Sequence, residues 1–215
     1  MNLITKKCFL IFLFFFALLN YTFSQNTHIT DSLKALLKTS KEDTNKVNLL
    51  NSIAWEYKSS DPDTAYVYAC GALKLSEELG FKYGIAVSNN DLGLIFHYKG
   101  QYEKALNYCF KGLGIFTEIN NKKGISSCLL NIGNNNFYLG NYTEALKHYV
   151  EASKAYQETN NDIGLSRVLT NIAVIYKNQN KVEESLIYLK RSLRIKEKIG
   201  DKSGISMVLN NIAAT

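Results

Sequence analysis

The sequence has few of the residues that build metal or catalytic centres, and it keeps them apart. Its three histidines are His28, His97 and His148, and no two of them have a ligand spacing such as H-x-x-x-H. No glycine-rich phosphate loop and no nucleophile-elbow motif occurs in the chain. We therefore expect no metal site, no cofactor and no enzymatic activity within these residues.

Cysteine is also scarce. Besides Cys8 near the N-terminus, the chain has Cys70, Cys109 and Cys128, an odd number at no regular spacing. This pattern argues against a disulfide framework and favours buried free thiols among apolar neighbours. A bridge between Cys109 and Cys128, across adjacent helices, is the alternative that the sequence leaves open.

Basic residues are dispersed and form no run of five or more, although the formal net charge is +6. Dispersed charges on helices are typical of solvated faces, so we expect no nucleic-acid partner for this region. The excess of lysine over arginine, the many asparagines and the single proline indicate translation from an AT-rich bacterial genome.

A hydrophobic run long enough to cross a membrane is missing as well. The apolar run from Cys8 to Leu19 is shorter than the about 20 residues that a membrane span needs. Lys6 and Lys7 precede it, and small residues follow, which is the order of a secretory signal peptide over residues 1–24. We expect cleavage after this segment and export to the periplasm or cell surface, with a membrane anchor as the alternative.

What the chain does contain is a repeat of forty residues. Its clearest mark is a glycine followed by Ile or Leu, at Gly84, Gly124, Gly164 and Gly204. Seven residues after each glycine, a polar residue precedes Leu or Ile and then Gly or Ala, as in Asp91-Leu92-Gly93. A fixed period in this range indicates stacked supersecondary units, which build an extended concave surface suited to binding.

Each repeat divides into two amphipathic helices. In the unit 122–161, apolar residues recur at spacings of three and four along 122–139 and again along 142–159. Gly140 interrupts the pattern between them, as a glycine at a helix C-terminus does. The sequence therefore predicts an all-α fold, a superhelical solenoid of antiparallel helical hairpins.

The same pattern divides the whole chain. In order, we predict a signal peptide at 1–24, a short capping helix at 25–43, a divergent repeat at 44–81, repeats at 82–121, 122–161 and 162–201, and the first helix of an incomplete fifth repeat at 202–215. That last helix lacks its partner. Because natural arrays end in a polar cap, we expect the sequence to be the N-terminal part of a longer protein.

The repeat resembles the tetratricopeptide repeat (TPR) family, which places large–Leu–Gly/Ala–Tyr on its first helix and Tyr–Ala–Phe/Tyr–Ala on its second. The matching residues of one unit are Leu129, Ile132, Gly133, Gly140, Tyr142, Ala145, Tyr149 and Ala152. The resemblance covers about 44–215, and it implies a right-handed superhelix. Two departures are the period of 40 instead of the commoner 34 and Asn136, which stands where the family usually has tyrosine.

The resemblance also implies a binding face. In the resembled family, the first helices line the concave groove, where asparagines often hold the backbone of an extended peptide. An amide side chain both donates and accepts, so such a column binds a strand-like ligand without reading its side chains. Candidate residues on this face are Asn90, Asp91, His97, Asn131, Asn134, Arg167, Asn171 and Asn211. Arg167 is the candidate for a ligand carboxylate. The alternative is that these asparagines only bond neighbouring helices to each other.

The lengthened repeat resembles those of cell-polarity adaptors and of bacterial proteins with exported repeats ahead of a membrane helix and a signalling module. We therefore expect a non-catalytic scaffold that binds a protein or extended peptide outside the cytoplasm, within a longer signalling protein. One alternative is the regulatory region of a membrane histidine kinase or DNA-binding regulator whose output domain is missing from this chain. Another is a structural protein whose repeats self-associate.

Overall fold

The structure is a computed structural model that describes residues 29–215. The predicted signal peptide lies outside this range. Within it, the chain forms ten helices and no strand, which confirms the all-α class and the helical hairpins. The helices are α1 (29–39), α2 (Thr44–Tyr57), α3 (Pro62–Glu78), α4 (Lys82–Tyr98), α5 (Tyr102–Glu118), α6 (Lys122–Tyr138), α7 (Tyr142–Glu158), α8 (Asp162–Asn178), α9 (Val182–Ile199) and α10 (Lys202–Ala213).

From residue 80 to residue 200, each turn between two helices contains one residue in left-handed backbone conformation, and these residues lie twenty positions apart. These residues are Gly80, Gly100, Asn120, Gly140, Asn160, Asn180 and Gly200, with φ between 51° and 78°. Glycine enters this region without a steric penalty, and asparagine tolerates it better than most residues. The next backbone N–H then bonds five residues back, as from Asn161 to the Tyr156 carbonyl at 2.9 Å, and closes the helix. Two helices and two such turns make the forty-residue period.

The helix pairs α2–α3, α4–α5, α6–α7 and α8–α9 are called units 1 to 4 below. From α2 to α10, consecutive helices pack against each other, and in addition α2 contacts α4, α4 contacts α6 and α6 contacts α8. The first helices of successive units therefore share one face. We call the contacts α2–α4, α4–α6 and α6–α8 the first, second and third junctions.

Glycine within the first helices permits close packing inside a unit. At Gly133 in α6, an added Cβ would lie 2.5 Å from the ring of Tyr149 in α7. The Tyr149 ring is buried in the space that the missing side chain leaves. A mid-helix glycine costs about 1 kcal/mol relative to alanine, and here the cost is offset by the burial of a large aromatic ring.

Other features of the sequence take definite places in the described residues. Cys109 and Cys128 are buried and Cys70 is partly buried, and all three are free thiols, so no bridge links Cys109 to Cys128. The buried Asn136 amide donates to the Ile132 carbonyl of its own helix at 3.0 Å. None of the helices in residues 29–215 is both long and apolar enough to cross a membrane.

Candidate functional site

The shared face of the first helices contains an open cavity of about 740 Å³. Such a volume lies within the range of small-ligand sites. Its walls come from the ends of α4 and α6, from the middle of α8, from Tyr149 and Lys196 on the second helices, and from Asp201 with the start of α10. We call this cavity the concave groove.

Two asparagines of the concave groove are held by hydrogen bonds across the third junction. Asn171 donates from Nδ2 to Asn134 Oδ1 at 2.9 Å, and the Tyr149 hydroxyl donates to the same oxygen at 2.8 Å. Burial raises the pKa of Tyr149, so the hydroxyl remains a donor. Both lone pairs of Asn134 Oδ1 are thus used. The Asn134 NH₂ group and the Asn171 carbonyl line the groove with bonding capacity for a ligand.

The second junction has a similar amide pair with different partners. Asn131 donates from Nδ2 to Asn90 Oδ1 at 3.0 Å, and the Cys128 thiol approaches the same oxygen at 3.3 Å. The asparagines of the first helices therefore bond neighbouring units to each other. At the third junction they do so while facing the groove, so the two interpretations of the asparagine column are compatible.

The first junction replaces the amide by a carboxyl group. Asp91 is only 8% exposed and lies with Ala54, Trp55 and Lys58 instead of lining the concave groove. Burial raises the pKa of Asp91 to about 7, and the nearby Lys58 ammonium opposes that shift. Lys58 itself donates to the Trp55 carbonyl at 2.7 Å, with its ammonium 3.7 Å from the centre of the indole ring.

One end of the concave groove is cationic. Arg167 is exposed there, whereas Lys196 is only 8% exposed and donates to Asp201 Oδ2 at 3.0 Å. The other oxygen of Asp201 caps α10 by accepting the Gly204 N–H at 2.8 Å. These two contacts, the backbone one first, lower the pKa of Asp201. Among the described residues that line the groove, Arg167 and Lys196 are positively charged and only Asp201 is negatively charged, so this lining carries a net positive charge.

Lys196 was missed by the sequence reasoning, although the repeat contains a signal for it. In units 2 and 3 the corresponding position is aromatic, Phe116 and Tyr156, and in unit 1 it is the buried Ser76; each of these side chains packs under the first glycine of the next unit. Lys196 takes this place under Gly204, where an added Cβ would lie 2.5 Å from its Nζ. A charged residue at a repeat position that is otherwise uncharged and buried marks a place where the packing pattern of the repeat changes.

The opposite wall of the groove is aromatic. The His97 and Tyr138 rings meet at 5.0 Å, and Tyr138 stacks on Tyr102 at 5.1 Å. His97 Nδ1 lies 2.9 Å from Asn135 Oδ1, which fixes the imidazole. Tyr138 remains 58% exposed, so this wall presents an apolar surface to a ligand.

The predicted site residues fall into four groups. His97, Asn134, Arg167 and Asn171 line the concave groove. Asn90 and Asn131 bond to each other at the neighbouring junction, and Asp91 is buried at the first junction. Asn211 is partly buried on α10 and is not among the groove-lining residues. Within residues 29–215, no cluster of three or more His, Cys, Asp or Glu side chains has the arrangement of a metal site.

Two family models match the sequence. The model described as tetratricopeptide repeat matches residues 125–198, and the model described as the SusR N-terminal TPR domain matches residues 20–111. No curated protein sequence matches the chain.

Several solved structures have a similar fold. Aspartyl phosphate phosphatase F from Bacillus subtilis is 16% identical, with a TM-score of 0.76 over 86% of this chain and 52% of that one. The quorum sensor NprR from B. thuringiensis, in its apo form, is 18% identical, with a TM-score of 0.69 over 93% and 56%. A Rap protein in complex with competence and sporulation factor is 17% identical, with a TM-score of 0.61 over 90% and 58%. At these identities the likeness concerns the fold, and this chain spans little more than half the length of the three proteins.

Proposed function

Because the chain is a tetratricopeptide repeat protein, a fold that serves as a protein-binding scaffold, we propose that its concave groove binds an extended peptide carrying a carboxylate. The observation that carries the proposal is the groove of about 740 Å³, in which oriented amides lie beside an exposed arginine. The fold similarity to a Rap protein in complex with competence and sporulation factor supports it.

The amides suit the backbone of an extended chain. Asn134 keeps its NH₂ group for a peptide carbonyl, and Asn171 keeps its carbonyl for a peptide N–H. Their mutual hydrogen bond holds both side chains in place before a ligand arrives, so little side-chain entropy is lost on binding. A backbone held in this way is recognised independently of its side chains.

The charges at the end of the groove between α8 and α10 favour a negatively charged ligand. Arg167 forms no ion pair within residues 29–215, and a guanidinium binds both oxygens of a carboxylate. The Lys196 ammonium adds positive potential, although Asp201 already neutralises part of it. The carboxylate is either an acidic side chain or the C-terminus of the peptide, and the experiment below separates the two.

The test begins with a peptide library displayed on phage and selected on the full 215-residue chain. We expect the selected sequences to be enriched in acidic residues or to require a free C-terminus. Amidating the C-terminus of a selected peptide, or replacing its acidic residues by amides, identifies the group that Arg167 binds. We expect Arg167→Ala to weaken binding about 10-fold or more, since a charge-assisted hydrogen bond contributes roughly 1.5–3 kcal/mol.

The matched control is Arg194→Ala, which removes another exposed arginine outside the concave groove. It is expected to leave the affinity unchanged, and both variants are expected to keep the helicity of the parent chain. The proposal is wrong if no peptide is selected above background, or if Arg167→Ala and Arg194→Ala bind the selected peptides equally well.

The proposal extends to location and context. TPR proteins are generally non-catalytic, and we propose that this chain binds without catalysis, outside the cytoplasm, as a part of a longer signalling protein. Its motivation is the basic, apolar and small-residue order of residues 1–24. Fusion of these residues to a phosphatase that folds only in an oxidising compartment tests export, and an inactive fusion would contradict it.

The alternative function is the regulatory region of a membrane histidine kinase or DNA-binding regulator. Its motivation is the resemblance of the forty-residue repeats to exported repeats of such proteins. The genomic sequence downstream of residue 215 tests it: a membrane span followed by an ATP-binding or DNA-binding domain supports this reading, and a stop codon contradicts it.

A further inference from the structure

The first junction differs from the second and third at the repeat position of Asp91. At this position Asn131 and Asn171 donate an N–H to the preceding unit, whereas Asp91 has no N–H to donate. Its neighbours Ala54, Leu94 and Ile95 are apolar there, and the space between them has no room for a water molecule. Since no side chain of residues 29–215 donates a hydrogen bond to the Asp91 carboxylate, its ionised form is unfavourable in this place.

The cation that acts on Asp91, Lys58, is held by other groups. The Lys58 ammonium donates to the Trp55 carbonyl at 2.7 Å and lies 3.7 Å from the centre of the Trp55 ring. Within residues 29–215, no ion pair joins Lys58 to a carboxylate within 4 Å, the Asp91 carboxylate included. The arrangement therefore suits a protonated Asp91, while the flexible stem of Lys58 keeps its ammonium within reach of an ionised one.

We propose that Asp91, Lys58 and Trp55 form a proton-operated switch at the first junction. When Asp91 loses its proton, the Lys58 ammonium leaves the Trp55 carbonyl and ring and pairs with the new carboxylate. The indole, 48% exposed in the closed arrangement, is then uncovered further to solvent. This inference does not depend on the proposed peptide-binding function.

The groups around Asp91 place the transition near neutral pH. Burial raises the pKa of Asp91 to about 7, against the opposing influence of Lys58 from the end of α2. Glu56, also near the end of α2, favours the charged form of Lys58. Desolvation has the larger influence and lowers the pKa of Lys58. From α5 and α6, the thiols of Cys109 and Cys128 face Asp91, and burial raises the pKa of the first to about 12 and that of the second further. Both thiols are therefore neutral throughout the range in which Asp91 titrates.

Trp55 reports on this junction because it is the only tryptophan of the sequence. We expect the tryptophan emission of the full chain to shift to longer wavelength between about pH 5 and about pH 9, with a midpoint near pH 7. Asp91→Asn is expected to abolish the transition and to hold the emission of the acidic form at every pH. Lys58→Met is also expected to abolish the transition. In this variant the emission should stay that of the alkaline form, because no ammonium group lies over the Trp55 ring.

Two controls exclude other titrating groups. Glu56→Gln removes the neighbouring carboxylate that also acts on Lys58, and His97→Gln removes the imidazole of α4, so both are expected to keep the transition. Far-UV circular dichroism at each pH checks that the helices remain folded. A transition that persists in Asp91→Asn, one that disappears in His97→Gln, or a flat emission profile of the parent chain would each overturn the proposal.

Discussion

The first and third junctions have the same architecture and opposite chemistry. At the third junction, Asn171 donates to Asn134, and the amides face an open groove. At the first junction, the corresponding residue is Asp91, enclosed against Trp55 and Lys58 without room for water. In both places a first helix meets the first helix of the preceding unit.

The difference shows what a repeat fixes and what it leaves free. The period fixes where a side chain lies, since equivalent helices pack in equivalent ways. The residue type at that position then decides its chemistry. An asparagine such as Asn171 forms a hydrogen bond that does not depend on pH, whereas Asp91 binds a proton. The predictions below exchange or remove the features that distinguish the two junctions.

The largest effect is expected from removing the acid at the first junction. The folded-state pKa of Asp91 is about 7 and its usual value is 3.8, so the folded state binds the proton more tightly. The tighter proton binding therefore contributes fully to the free energy of unfolding below the unfolded-state pKa. This contribution is lost as the pH rises through the folded-state pKa of about 7. Asp91→Asn should be more stable than the parent above pH 7, by on the order of 4 kcal/mol at most, and nearly equal to it at acidic pH.

Denaturant unfolding at several pH values measures this difference directly. Glu56→Gln provides the control, because it removes a carboxylate near Lys58 and leaves the buried one in place. A stability gain of Asp91→Asn that does not depend on pH would mean that the acid is not a proton-binding group.

The converse exchange places an acid at the third junction. Asn171→Asp removes the N–H group that donates to Asn134 Oδ1 and places a carboxylate oxygen beside that oxygen. We expect the free energy of unfolding to fall by about 1–3 kcal/mol when the acid is ionised. The cost should be smaller than at the first junction because this place opens into the groove and lies near Arg167. Unfolding free energies at two pH values test it, with the exposed Asn107→Asp as control. Equal costs for the two variants would show that the inter-unit hydrogen bond contributes nothing.

A third test concerns the packing that supports the third junction. Gly133→Ala forces the Tyr149 ring to move, and with it the hydroxyl that bonds Asn134. We expect a net loss of about 1–2 kcal/mol, since overpacking outweighs the gain in helix propensity. Gly114→Ala, in a helix position with open space around the added Cβ, should instead gain about 0.5–1 kcal/mol. Thermal unfolding measures both, and the same sign for the two variants would contradict the packing argument.

The sequence allowed the helices and their turns to be predicted because each depends on local chemistry. The spacing of apolar residues and the glycines or asparagines at the turns are visible without tertiary contacts. The asparagine column was visible for the same reason. Its partners were not, because they depend on the preceding unit. Asn131 bonds to Asn90, but unit 3 has Leu130 at that position, so Asn171 reaches Asn134 instead.

The groove itself could be predicted only in part. Arg167 and Asn171 were recognised from their place on a first helix of the repeat, whereas Lys196 lies on a second helix, where no candidate residue was sought. Its ammonium reaches the groove because Gly204 leaves space above it. Such a position depends on the fit between two units, and it becomes visible only once the packing is known.

The smallest effect is expected at the surface, where the units again differ in charge. In units 2 to 4, an ion pair joins the start of the first helix to the end of the second, and the sign is reversed in unit 4. The pairs are Lys82–Glu118 at 2.5 Å, Lys122–Glu158 at 2.8 Å and Asp162–Lys198 at 2.7 Å. Because the two residues still attract each other after the reversal, either order of charges suits these surface positions. The buried position of Asp91 does not tolerate such an exchange.

Reversing one partner and then the other tests that view. Asp162→Lys places two lysines together and removes an acid from a helix N-terminus, which we expect to cost up to about 1 kcal/mol because the pair is exposed. Adding Lys198→Glu recreates the order of units 2 and 3 and should recover much of the loss, as chemical denaturation can measure. Because salt screens exposed charges, the recovered part should shrink at high ionic strength. A loss well above this range, or one that the second change does not recover, would show that even the surface of unit 4 depends on the local sequence.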